Sequence, residues 1–94
     1  MYKFIEFEKI NSNMEDGKYF TIAKVKEVLK DSIILEKKGK QIKFFSIYKP
    51  KENSMVRVFF VKDKENFTID FLQTVDEQLE EITNLFINTI RNYV

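Results

Sequence analysis

The chain has no cysteine and no histidine. The first absence removes disulfides and thiolate chemistry; the second removes the usual general base and the commonest zinc ligand. With only Gly17 and Gly39, the sequence cannot build a glycine-rich phosphate loop. No long apolar run occurs, and the opening residues Met1 to Glu8 mix charge into their apolar positions, so neither a signal peptide nor a membrane span is expected there. The bland expectation is an intracellular protein with no membrane association, no cofactor, no metal and no enzymatic activity. The acids that pair at helical spacing, Asp76 with Glu80 and Glu77 with Glu81, are expected on a solvated face, where carboxylates alone make neither an active site nor a metal site.

Against these absences stands an apolar content of 44%, with ten Phe and four Tyr in 94 residues. Disordered chains are poor in aromatics and high in net charge, so this one folds, and its length fits a single domain. The net charge of +1 conceals a separation. Residues 1–17 carry two Lys against four acids; residues 18–64 carry thirteen Lys and Arg against five acids, a net of +8; residues 65–94 carry one Arg against six acids. A basic middle between acidic ends suits a polyanionic partner, although lysine also serves solvent faces and edge strands.

Periodicity divides the chain into a strand and loop over 1–17, a β-barrel over 18–72 and a helix over 74–94. Tyr2 to Ile10 alternates imperfectly and reads as a strand pairing back onto the barrel. Lys18 to Lys30 changes apolar parity along its length, from Phe20 and Ile22 to Ala23 and Val25 and back to Val28, as a bent or bulged strand does. Ile33–Lys37 and Gln41–Ile47 form a hairpin about Lys38-Gly39, with Ile42 and Phe44 on the inner face. The only proline, Pro50, marks an irregular connection. Met55–Val61 follows, with Val56, Val58 and Phe60 facing one way and Arg57 and Phe59 the other; then comes a polar turn over Lys62–Asn66 and a strand from Phe67 to Leu72. The expected fold is mainly β, a five- to six-stranded barrel. At Thr74 the period changes to three and four: Thr74 and Glu77 fit a capping box, and Val75, Leu79, Ile82, Phe86, Ile90 and Tyr93 form an amphipathic stripe.

Two sets of residues carry the functional expectation. Parity places Lys24, Lys26, Lys43, Phe45, Arg57 and Phe59 on the outer barrel surface, with Tyr48 at its rim. Cations interleaved with exposed rings suit single-stranded nucleic acid, because Lys and Arg follow phosphates while rings stack on bases. The second set is the C-terminal helix. Leu85, Ile87 and Val94 widen its apolar arc beyond one docking surface, so Leu79, Ile82, Leu85, Phe86, Ile87, Ile90 and Tyr93 are the expected interface with a protein partner or a second copy. The alternative is a helix that lies in a groove of its own barrel, capped by Tyr2 and Phe4. The competing reading is a protein-interaction or structural subunit, homo-oligomeric, adaptor or virion component, that binds no nucleic acid.

A basic barrel with a bent first strand, a hairpin at Lys38-Gly39, an irregular connection at Pro50 and a terminal helix resembles the OB-fold. With its extra leading strand and apolar helix it is most similar to the smallest subunit of replication protein A or its telomeric counterpart. That resemblance implies a helix that joins helices of sister subunits, and a barrel that meets single-stranded DNA weakly or through them.

Overall fold

One long strand, β2 (Gly17–Val28), serves two neighbours and thereby closes the sheet. In the computed structural model, which describes residues 1–75, the elements are β1 (Lys3–Phe4), a 3-10 turn (Phe7–Lys9), β2, β3 (Ser32–Lys37), β4 (Lys40–Phe45), β5 (Met55–Asp63) and β6 (Asn66–Val75). From Gly17 to Lys24, β2 runs antiparallel to β5; from Lys24 onward it runs antiparallel to β3. Between Val25 and Glu27 the β2–β3 register shifts by one residue, a bulge at Lys26. The extra residue bends the strand and turns Val28 to the same side as Val25, which accounts for one of the parity changes expected from the sequence. The other, at Phe20 and Ile22, is not a bulge. Those residues lie on the outer side and are half-buried there, while Thr21, Ala23 and Val25 are buried within.

The remaining strands follow in the order β2-β3-β4-β6-β5 and close through the β2–β5 pairing. Lys38 and Gly39 both have positive φ, 51° and 81°, between the paired ends Lys37 and Lys40. This is the backbone of a type I′ turn, whose twist matches that of the flanking strands. A two-residue turn at Lys64-Glu65 joins β5 to β6. The weak point is the parallel β4–β6 seam, held by the single pair Phe45↔Thr68.

Alternation fills the barrel. Val56, Val58 and Phe60 of β5, Ile33 and Leu35 of β3, Phe44 of β4 and Ile69 of β6 are buried. Phe44 and Phe60 meet edge to face at 5.0 Å, and Phe67 packs on both. A second bulge, at Asp70, sits opposite the step from Phe59 to Phe60; it sends Leu72 inward and Phe71 outward.

Three sequence expectations need correction. The N-terminal segment is a strand only at Lys3–Phe4, parallel to β2; it then makes a 3-10 turn, which buries Phe7 and Ile10 against the core. Lys62 is not a turn residue. It ends an inward-facing row of β5, only 3% exposed, and its ammonium reaches the Asp16 carboxylate at 2.8 Å. Val75, read as part of the helical stripe, belongs to β6, where it pairs with Met55, and Thr74 pairs with Val56. The rest of the helix expected over 74–94 lies outside the described residues.

Candidate nucleic-acid interface

Closure of the barrel separates the expected surface residues into two outer faces. Across β3 and β4 run the rows Lys24–Glu36–Gln41 and Glu27–Ile34–Lys43, with Lys26 at the adjoining bulge. Cations and carboxylates alternate along them, and Gln41 Nε2 donates to Glu36 at 2.9 Å. At the edge of this face Phe45 is 40% exposed, with the Lys43 ammonium 5.5 Å from the centre of its ring. That placement offers a stackable ring and a phosphate-seeking cation within one step of each other.

Phe45 also forms a wall of a groove of about 540 Å³ where the β4–β6 seam opens. Ser46 and Ile47 continue that wall, Thr68 to Asp70 form the opposite one, and Lys30, Asp31 and Lys49 close an end. Ile47 is 86% exposed, which extends the apolar edge next to Phe45. Tyr48 lies beside the groove rather than facing freely into solvent: its hydroxyl donates to the Asp70 carbonyl at 3.0 Å, and its backbone N–H donates to Ser46 Oγ.

Arg57 and Phe59 occupy the other face, over β1, the first half of β2, β5 and β6. Phe59 stacks on Phe20 at 5.4 Å and contacts Tyr2 and Phe71; Phe4 leans on Phe20. Arg57 lies between Ile22 and Gln73 in the next row and donates to Gln73 Oε1 at 3.5 Å. The seven residues expected on one surface are therefore not one cluster. Lys26, Lys43 and Phe45 share a face with Tyr48 at its rim, Arg57 and Phe59 share another, and Lys24, paired with both Glu36 and Met55, stands at their boundary.

Asp70 marks the junction of the two faces. Its carboxylate accepts from the Tyr2 hydroxyl at 2.7 Å, which raises the Tyr2 pKa through that hydrogen bond, through burial and through the nearby negative charge. Two tyrosines from distant segments are thus fastened to one bulge. Alternation gives no hint of this, because Asp70 reads simply as a polar position on an outward parity.

Several cations of the basic middle are structural. Lys40 Nζ donates to the carbonyls of Glu8 and Ile10, fastening the 3-10 turn to the barrel. Lys49 Nζ donates to the carbonyls of Leu29 and Lys30. Lys62 is held by Asp16, whose carboxyl is kept below its ordinary range by that hydrogen bond and by the Lys64 backbone N–H. Lys40 and Lys62, whose ammonium groups are drawn inward to these partners, count toward a sequence charge of +8 while serving the fold. Among the described residues no group of three or more carboxylates converges to hold a metal, and no helix is long and apolar enough to cross a membrane.

A five-stranded barrel closed in the order β2-β3-β4-β6-β5, partly open at one parallel seam, defines the OB-fold. Solved structures agree. The chain is similar to the telomere capping protein Ten1 from Saccharomyces pombe, with a TM-score of 0.73 at 10% identity over 97% of this chain and 99% of that one. A chain of the S. pombe Stn1–Ten1 complex matches with a TM-score of 0.71, also at 10% identity, over 97% and 93%. No protein-family model and no curated protein sequence matches the chain. At this identity the likeness establishes the fold, and the expected OB-like barrel is what the chain forms.

Proposed function

We propose that this protein is a small OB-fold subunit that binds single-stranded nucleic acid on its β3–β4 face and assembles with a protein partner through residues 76–94. The observation that carries the binding part is the exposed Phe45 ring with Lys43 over it, at the lip of an apolar groove in the seam of the barrel. Lys24 and Lys26 extend the cationic track away from that ring, and Tyr48 supports its other side. A stacked base contributes about 1–3 kcal/mol and each engaged phosphate adds to the salt dependence, so a surface with one exposed ring and three lysines binds modestly. Glu27 and Glu36 within the same rows keep it modest. The fold likeness to Ten1, a telomere capping protein solved in complex with Stn1, favours a role as one subunit of a nucleic-acid-bound assembly rather than as an enzyme, and an intracellular, nuclear setting.

Fluorescence anisotropy with labelled single-stranded oligonucleotides tests the binding face. Binding is expected at low salt, with log K falling linearly in log salt and the slope shrinking by about one unit for K43A. No binding at low salt, or binding without a salt slope, removes the nucleic-acid part. Light scattering on the intact chain, alone and with candidate partners, tests assembly; a monomer under every condition argues against it.

A further inference from the structure

The groove in the β4–β6 seam has walls of unlike chemistry. Phe45 and Ile47 supply exposed apolar surface on one side, and Thr68 to Asp70 stand opposite. Its volume of about 540 Å³ falls within the ~300–1,000 Å³ of clefts that hold small ligands. Two carboxylates, Asp31 and Asp70, line it, so its interior repels a phosphate and admits a flat, uncharged ring.

Most polar groups of the lining are already engaged. Ser46 Oγ donates to the Tyr48 carbonyl and accepts from the Tyr48 N–H, Lys49 Nζ donates to the carbonyls of Leu29 and Lys30, and Asp70 accepts from the Tyr2 hydroxyl. The Thr68 hydroxyl can donate or accept and so discriminates nothing. The Asp31 carboxylate differs: it has no partner among the described residues. Its backbone is nonetheless fixed. The Asp31 carbonyl accepts from the Ser46 N–H at 3.0 Å, and across the same turn the Leu29 N–H donates to the Ser32 carbonyl at 2.8 Å. A group that can only accept is therefore held at the end of an apolar-walled groove, where it is complementary to a donor on a flat ring.

We propose that the groove takes one base of a bound single strand and selects bases that carry an exocyclic amine, with Asp31 as the acceptor. Carboxylates accept from the amino group of cytosine in this way. Uracil and thymine are disfavoured because their one ring donor lies between two carbonyl oxygens, which repel a carboxylate. Phe45 provides the surface on which the base lies, and the exposed Lys30 is left for the phosphate that joins it to the strand. The selection rests on single-stranded nucleic acid lying on the β3–β4 face.

The test is fluorescence anisotropy of the full-length chain with labelled oligodeoxycytidine and oligodeoxyuridine of equal length, at neutral pH and low salt. These two bases differ only along the edge that Asp31 would read. Oligodeoxycytidine is expected to bind roughly three- to tenfold more tightly, a modest ratio because water competes for an exposed acceptor. In D31A and D31N, with the β-sheet circular dichroism unchanged, the ratio is expected to fall to about one; the amide of D31N donates to the uracil carbonyl as readily as it accepts from cytosine. Equal affinity of the wild type for both strands, or a preference that survives both substitutions, overturns the proposal and leaves the β3–β4 face as a binding surface without base selection. Failure of both strands to bind removes that surface, and the selection falls with it.

Discussion

The two outer faces of the barrel obey the same alternation and end as opposite surfaces. On β5 the outward positions hold Met55, Arg57 and Phe59, and the partner strands answer with Phe20, Ile22 and Phe71, so the rings contact one another and Phe20 and Phe59 are half-buried. On β3 and β4 the outward positions hold Ile34, Glu36, Gln41 and Lys43, and the one ring, Phe45, stands at the margin with a lysine over it. The inner faces of these strands are alike, so the difference between the two surfaces lies in their outward residues alone, and the proposed function assigns them different tasks. A row of rings in mutual contact has its stacking surface already used by neighbours, whereas an isolated exposed ring beside a cation keeps a face for a ligand.

Substitutions can break this contrast at several levels. The largest effect is expected inside the barrel, which both faces share: F44A leaves a cavity against Phe60 and Phe67 and should cost about 3–5 kcal/mol in urea unfolding. Its neighbour in sequence, F45A, should leave the unfolding midpoint nearly unchanged and weaken oligonucleotide binding by about 1–3 kcal/mol, roughly 5- to 150-fold. The reverse pattern is expected for F59A. Loss of its contacts with Tyr2, Phe20 and Phe71 should destabilise the fold by about 1–2 kcal/mol and leave anisotropy titrations unaltered. If F59A weakened binding as much as F45A at equal stability, the division into a binding face and a packing face would be wrong.

A smaller effect separates the lysines used in folding from those left for a ligand. The Asp16 pKa is lowered in the folded protein by Lys62 and the Lys64 N–H. A depressed carboxyl adds stability above its unfolded pKa, and that stability fades as the pH falls through the folded value. The wild-type melting temperature should therefore drop on acidification below the ordinary carboxylate range more steeply than that of D16N, and nucleic-acid affinity at neutral pH should be the same in both.

Much of the barrel is legible in the sequence because burial follows parity wherever a strand is regular: Val56, Val58 and Phe60 are buried, and Phe44 and Phe45 part as their positions require. The Lys38-Gly39 reversal is legible for a local reason, since two consecutive positive-φ residues favour such a pair. What parity cannot show is which strands become neighbours. Arg57 and Lys43 have the same outward sense, but their strands meet only through β2 and β3 on one side and β6 on the other, so a surface inferred from parity alone merged two. Nor does a lysine declare whether its ammonium meets water or a carbonyl. Lys40, Lys49 and Lys62 found partners 19 to 46 residues away, reached only after closure. The 3-10 turn at Phe7–Lys9 escaped for a related reason: its short alternating segment is packed as a plug against the core, and tertiary burial of Phe7 and Ile10 overrides the local strand pattern.

The smallest expected effect tests the residue that stands between the two surfaces. Tyr48 has a ring, which a base could use, and a hydroxyl, which the barrel uses by donating to the Asp70 carbonyl at the β6 bulge. Y48F keeps the ring and deletes that bond. A hydrogen bond of this kind contributes about 0.5–1.5 kcal/mol, and an exposed one falls at the low end because water replaces the donor. Y48F should therefore shift the unfolding midpoint barely beyond error and leave oligonucleotide affinity intact, whereas Y48A should lose affinity if the ring supports the groove beside Phe45. Equal affinity for Y48F, Y48A and wild type would remove Tyr48 from the binding face and leave it as a fastener of the bulge. Loss of affinity already in Y48F would mean that the position of β6 against Phe45, rather than the ring of Tyr48, sets the shape of the groove.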